Sequence, residues 1–229
     1  MSRAGTILDL VRDAAGREAP LSVDVISAGE TSLEIETRMI PLMVVLVVAV
    51  AGAMLPALSL VEERERHTLD AVLVTPASIP DVMVAKGLLG VLTGSLVGVV
   101  TLALNGVLDT GPVLLVAAVV VGAVMMAEFG LALGSWARDS NTLFTVWKAG
   151  AIVLIFPVVF FIWDGFPEWV ARLGPTFYFL RPMFAVAVEG AGAGDVWFDL
   201  VIAAAICVVL VPAVAAMARR LERTLATSN

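Results

Sequence analysis

The sequence predicts an all-α, polytopic integral membrane protein of about five transmembrane helices. Three observations predict it. Of 229 residues, 60% are hydrophobic and 15% charged, against roughly 45–50% and about 25% in an ordinary soluble domain. Mean hydropathy is +0.99. The apolar residues also gather into five runs of about 20, the length a bilayer-crossing helix needs. These runs are continuous, without the period-2 alternation of a membrane barrel, and a lone strand in lipid would leave its backbone groups unsatisfied. A net charge of -7 argues against a nucleic-acid partner. One cysteine and one histidine exclude an internal disulfide and a His-rich metal site; no metal or cofactor is expected.

Residues 1–38 form an external N-terminal segment ahead of a transmembrane domain over 39–229. The five spans cover about 39–61, 87–108, 112–136, 143–163 and 197–217. Lys and Arg accumulate on the cytoplasmic side of membrane proteins. With the C-terminus inside, residues 62–86, 137–142 and 218–229 are cytoplasmic. They carry Arg64, Arg66, Lys86, Arg138, Arg219, Arg220 and Arg223, with Lys148 just inside the fourth span. Trp136 and Trp147 then fall near the inner interface, and Trp163, Trp169 and Trp197 near the outer one, as aromatic belts require. The expected location is the plasma (inner) membrane.

Span one ends in a charged connection. Glu62 and Arg66 make an i,i+4 pair, and Leu69, Val72 and Leu73 one apolar stripe, so 62–74 reads as a short amphipathic helix. Thr75-Pro76 stops it, because a residue before proline avoids the α region. Ser78 then caps a new helix, with Pro80 in its first turn and Asp81 at N3 as a capping box. That helix runs through Lys86 into span two. The connection is either a solvated loop or a rigid docking element joined to two spans.

In spans two and three, Gly90, Gly94 and Gly98, and then Gly130 and Gly134, repeat at four-residue spacing, which lets helix backbones approach closely in lipid. Asn105, near the outer end of span two, reads as an interhelix hydrogen-bonding amide. Glu128 in span three and Lys148 in span four are the two clear intramembrane charges. Each costs about 2.5–3.5 kcal/mol to insert, so such groups are usually paired, interior or functional. They lie roughly 13 Å and roughly 9 Å from the inner ends of their spans, and pairing between antiparallel neighbours is expected. Cys207, in an apolar span, reads as inert.

The stretch from Asp164 to Val196 is aromatic and proline-rich. It is too interrupted to span and too apolar for water. It reads as a pair of short helices in or dipping into the outer leaflet, acting as a packing lid or an outer gate.

The charged connection carries a resemblance. Glu63, Arg64, Glu65, Arg66, His67, Thr68, Leu69 and Asp70 are followed by Leu73, Val74, Thr75 and Pro76, then by Lys86 and Gly87. This pattern resembles the signature of ABC-2-type transporter permeases. It continues through Asn141-Thr142-Leu143, Lys148-Ala149-Gly150, Pro167-Glu168-Trp169 and Pro175-Thr176, and so covers about 39–229. His67 departs mildly, standing where such proteins more often have glycine or a polar residue. The resemblance implies the permease subunit of an ATP-driven exporter. Two permease halves, identical or paralogous, would form the pathway. A separate ATP-binding cassette subunit would dock on 62–76, through Glu63, Arg64, Glu65, Arg66, Thr68, Leu69, Thr75 and Pro76. The chain is not itself expected to be an enzyme: no G-x-x-x-x-G-K-[ST] occurs, so hydrolysis falls to a partner.

The resemblance also implies six spans, the first near the N-terminus. Here Ser22-Val23-Asp24-Val25 and Leu33-Glu34-Ile35-Glu36 look like the end of the external segment that follows it. A first helix encoded upstream of Met1, one supplied by a partner, or a protein of five spans would each account for this, and the first is the expectation. Outside this family, an ion-gradient-driven transporter or channel would use Glu128 and Lys148 as a relay. A non-transporting membrane scaffold or truncated remnant would need neither.

Overall fold

The computed structural model describes residues 28–69, 78–163, 165 and 167–228, with side chains for 37 onward and up to 224 among them. Thr75 and Pro76 lie outside the described residues, as do Asp70, Leu73 and Phe166. The fold that follows is that of the compact unit 37–229.

The regular elements among the described residues are all helices. Helix α1 (Ala28–Ala49) passes through a π-helical turn, Val50–Met54, into α2 (Leu55–Glu65). Helix α3 is Ile79–Leu104, and a 3-10 turn at Leu108–Thr110 leads to α4 (Pro112–Trp136). Then come α5 (Ser140–Ile155), α6 (Val158–Ile162), α7 (Glu168–Ala171), α8 (Phe177–Val188) and α9 (Ala193–Ser228). Four helical stretches are long and apolar enough to cross a membrane: Thr37–Glu65, Ile79–Leu104, Pro112–Trp136 and Ala193–Thr224. The protein is a multi-pass membrane protein.

Several boundaries differ from the sequence reading, each for a local reason. Leu33–Glu36 alternates in hydropathy yet is helical, within α1. The first long helix does not stop at Val61 but runs to Glu65. The chain then turns at Arg66 and His67, the latter with φ +57°, a left-handed conformation uncommon outside glycine. The amphipathic helix expected from Glu62 onward is therefore broken; helical structure resumes at Thr68 and Leu69. The fourth apolar run is not one helix. Pro157 has no N–H to continue the ladder, so the run divides into α5 and α6.

Helix α4 is the hub. It packs against α2, α3, α8 and α9. Its contacts with α2 and α3 are close because glycines line them. A Cβ on Gly130 would collide with the Ala53 backbone, and one on Gly134 would come within 2.9 Å of Ala57. Gly90 and Gly94 of α3 meet Gly52 in the same way, at 2.6 and 3.1 Å. Gly52 belongs to the π turn. Pro56 lacks the N–H that the Gly52 carbonyl would accept in α register, and the widened turn accommodates that loss. The Thr93 hydroxyl lies 3.3 Å from the Ala51 carbonyl oxygen across this contact.

The aromatic segment contributes α7 and α8, the two short helices expected. Helix α8 is packed inside the bundle: Phe177, Phe179, Leu180 and Met183 are fully buried. A Cβ on Gly122 would come within 2.6 Å of the Phe179 ring. Gly122 is ten residues into α4, so α8 penetrates roughly 15 Å along that helix. The buried Thr176 hydroxyl donates to the Leu154 carbonyl at 2.7 Å, satisfying an acceptor orphaned by the end of α5.

Candidate functional site

Four consecutive motif positions leave the end of α2 in different directions. Glu63 Oε1 accepts from Lys86 Nζ of α3 at 2.8 Å, and the same ammonium reaches Ser59 Oγ at 2.6 Å. Arg64 Nη1 donates to the Ala137 carbonyl, just past α4, at 3.2 Å. Glu65 Oε1 accepts the Ser140 N–H at 2.8 Å and its Oε2 accepts the Ser140 hydroxyl at 2.9 Å, at the first residue of α5. Arg66 points outward and is exposed. One short run thus fastens the ends of α3, α4 and α5 to α2.

The physical reasons are those of helix ends. The last carbonyls of α4 and the first N–H groups of α5 have no partners within their own helices. A guanidinium beside the former and a carboxylate beside the latter also complement the helix dipoles. Asp139 completes the α5 cap, accepting the Thr142 N–H at 2.8 Å and its hydroxyl at 2.9 Å. Those bonds, the backbone one foremost, hold the Asp139 carboxyl below its ordinary pKa. At the start of α3, Ser78 and Asp81 form the expected capping box.

The turn after α2 is closed from within and anchored below. The Thr68 hydroxyl donates to the Glu63 carbonyl at 3.0 Å. Leu69 is 1% exposed and packs with Leu60, Ile79, Met83, Leu131, Ala218 and Leu221, which ties the turn to α9 as well. Arg66, His67 and Thr68 remain on the surface. The result is a rigid junction where four long helices and α5 meet, with a short exposed turn at its tip.

Lys86 is the member of this junction that sequence reasoning left out of the site. Its sequence signal was Lys86-Gly87, part of the permease-like pattern; its burial to 8% exposure, which calls for a partner, is seen only in the structure. Ser140 carried a weaker signal, following Asp139 at the start of an apolar run as an N-terminal cap would.

The intramembrane polar residues are not joined. Glu128 and Lys148 do not pair. Lys148 is exposed, and Glu128 Oε2 is buried with no hydrogen-bond partner. Short loops set helix order but not the rotation of each helix about its axis. Asn105 is likewise no interhelix link: its Nδ2 donates to the Thr101 carbonyl one turn back, at 2.8 Å, on the exposed end of α3. Trp147 is half-buried against the core, whereas Trp136, Trp163, Trp169 and Trp197 are exposed. Cys207 is buried, 3.8 Å from the Val121 carbonyl oxygen.

Comparison with protein families matches residues 4–216 to the family described as ABC-2 family transporter protein. The chain belongs to the ABC-2 transporter family. The match covers α1 through most of α9, and with it Glu63–Leu69, Lys86, Ala137 and Ser140 of the junction. No curated protein and no solved structure matches the chain. Among the described residues, no His, Cys, Asp and Glu cluster could hold a metal ion. ABC-2 membrane domains are typically permeases without an ATPase of their own.

Proposed function

We propose that this ABC-2 protein is the permease subunit of an ATP-driven exporter. It works as a dimer, with itself or a paralogue, and couples to a separate ATP-binding cassette subunit. The junction at Glu63–Leu69 is the coupling point, and its end of the bundle, with the C-terminus, faces the cytoplasm. One observation carries this reading. Glu63, Arg64 and Glu65 tie three neighbouring helix ends to one exposed turn, so a push on Arg66–Thr68 is delivered to all of them together. A solvated loop would need no such ties.

Arg66 tests the docking part, because it is exposed and holds nothing else in place. The tagged chain is solubilised from its native membrane and its bound proteins identified. An ATP-binding cassette subunit is expected with the native chain, and at least ten-fold less of it with Arg66→Glu, while expression is unchanged. Equal capture by both forms, or no such subunit in either, would count against the reading.

A further inference from the structure

A second feature of the same end of the bundle lies outside the junction's ties. A cavity of about 550 Å³ opens between the end of α4, the start of α5 and the last turns of α9. Arg64, Arg138 and Arg220 line it, together with Thr142, Trp136 and Met217. Arg64 is committed in part, through its bond to the Ala137 carbonyl. The Arg138 and Arg220 side chains are exposed and make no hydrogen bond or ion pair among the described residues. The nearby carboxylates are already engaged: Asp139 by Thr142, and Glu65 by Ser140.

The depth of this cavity says what it takes. Trp136 ends the apolar length of α4 at 64% exposure, and tryptophan marks the interfacial level of a bilayer. Arg138 follows two residues later, and Arg220 lies one turn past the exposed Met217 of α9. Along the apolar stretch of α9 only 11% is buried, and Val209 and Ala213, at four-residue steps before Met217 on that side of the helix, are exposed. A ligand here has its charge at headgroup depth and its apolar part along α9. Guanidinium groups suit phosphate, which they can bind in bidentate fashion.

We propose that this cavity binds the headgroup of an anionic phospholipid, with Arg138 and Arg220 on the phosphate and an acyl chain along Met217 and the open face of α9. Basic pockets between membrane helices hold anionic headgroups by this chemistry. The site does not depend on the ATP-binding partner or on the coupling role of Glu63–Leu69.

The test uses the full chain in detergent, with native mass spectrometry counting bound lipid. The probes are phosphatidylglycerol, phosphatidylcholine and inorganic phosphate. Phosphatidylglycerol is expected to bind more tightly than phosphatidylcholine, and phosphate is expected not to displace it. Arg138→Gln with Arg220→Gln should weaken phosphatidylglycerol binding about 30-fold, at roughly one factor of five for each basic side chain near the membrane surface. Arg138→Lys with Arg220→Lys should keep most of it, which separates lost charge from lost fold. Three results would overturn the proposal. One is equal binding of the two lipids, unchanged by the glutamine pair. Another is displacement by phosphate with the same arginine dependence, which assigns a soluble-anion site. The third is unchanged lipid binding with loss of the ATP-binding subunit, which assigns a protein-docking surface.

Discussion

Lys86 shows most directly how single side chains hold this protein together. Its ammonium is nearly buried and has two partners, Glu63 and Ser59. Removing Glu63 leaves a cation with one neutral acceptor, and such a group is costlier than an absent one. Because Glu63 itself is 41% exposed, solvent offsets part of that cost. Glu63→Ala should destabilise by about 1–2 kcal/mol, and Glu63→Ala with Lys86→Met should recover part of the loss. Thermal unfolding in detergent checks both; a double variant worse than the sum of the singles would refute the pairing. Asp139 gives a pH dependence. Its folded pKa is depressed, so its contribution is fully present above the ordinary carboxylate value. It is lost as the pH falls through the lower folded value. Asp139→Ala should therefore lower the unfolding temperature at neutral pH and have little further effect under strongly acid conditions.

Helix-scale behaviour depends on close approach and on proline. The contact of α4 with the first long helix exists because Gly130 and Gly134 present backbone where a side chain would collide. Gly130→Val should push α4 away from Ala53 and cost about 1–3 kcal/mol as overpacking, read as a fall in properly folded yield by size-exclusion chromatography. At the other end, Thr176→Val removes the donor to the buried Leu154 carbonyl and should cost about 1–2 kcal/mol. Thr176→Ser, which keeps the hydroxyl, should be near neutral. How much of this the sequence disclosed follows from the range of each interaction. The Ser78–Asp81 capping box was legible because three residues decide it. The bounds of α4 were legible because an apolar run between Gly111-Pro112 and Ala137-Arg138 leaves little choice. The division at Pro157 was visible as a proline but outweighed by the hydropathy of the run, which takes no account of a missing N–H. The turn at Arg66 and His67 had no such marker. The charged motif stood out as unusual, yet its partners at Ala137 and Ser140 are more than 70 residues away. Sequence spacing holds no information on contacts at that distance.

Within residues 37–229, the braced helix ends and the inserted α8 all pack on α4. Under the proposed coupling role, motion imposed at Arg66–Thr68 would pass to α3, α4 and α5 through Glu63, Arg64 and Glu65. Glu65→Arg places a cation against the α5 N-terminus, where the dipole disfavours it. In the assembled transporter it should leave membrane insertion intact and uncouple ATP hydrolysis from transport. Proteoliposome transport measured beside phosphate release checks this; a normal ratio of the two would argue against the junction as the transmission point.

The reach of Glu65 to Ser140 also has a consequence in time. The two residues are 75 positions apart. At synthesis rates of about 5–20 residues per second, the first long helix waits roughly 4–15 s before its partner is made. During that interval the Glu65 carboxylate and the Arg64 guanidinium stand without their final contacts. The chain's assembly in the membrane is thus ordered. The pair between Glu63 and Lys86 closes early, only 23 residues after it is begun, and the ties to α4 and α5 close last. A nascent chain halted before residue 137 would leave the Glu65 carboxylate without Ser140, and one halted well beyond residue 142 should react more slowly with carboxylate-labelling reagents because Ser140 holds both its oxygens.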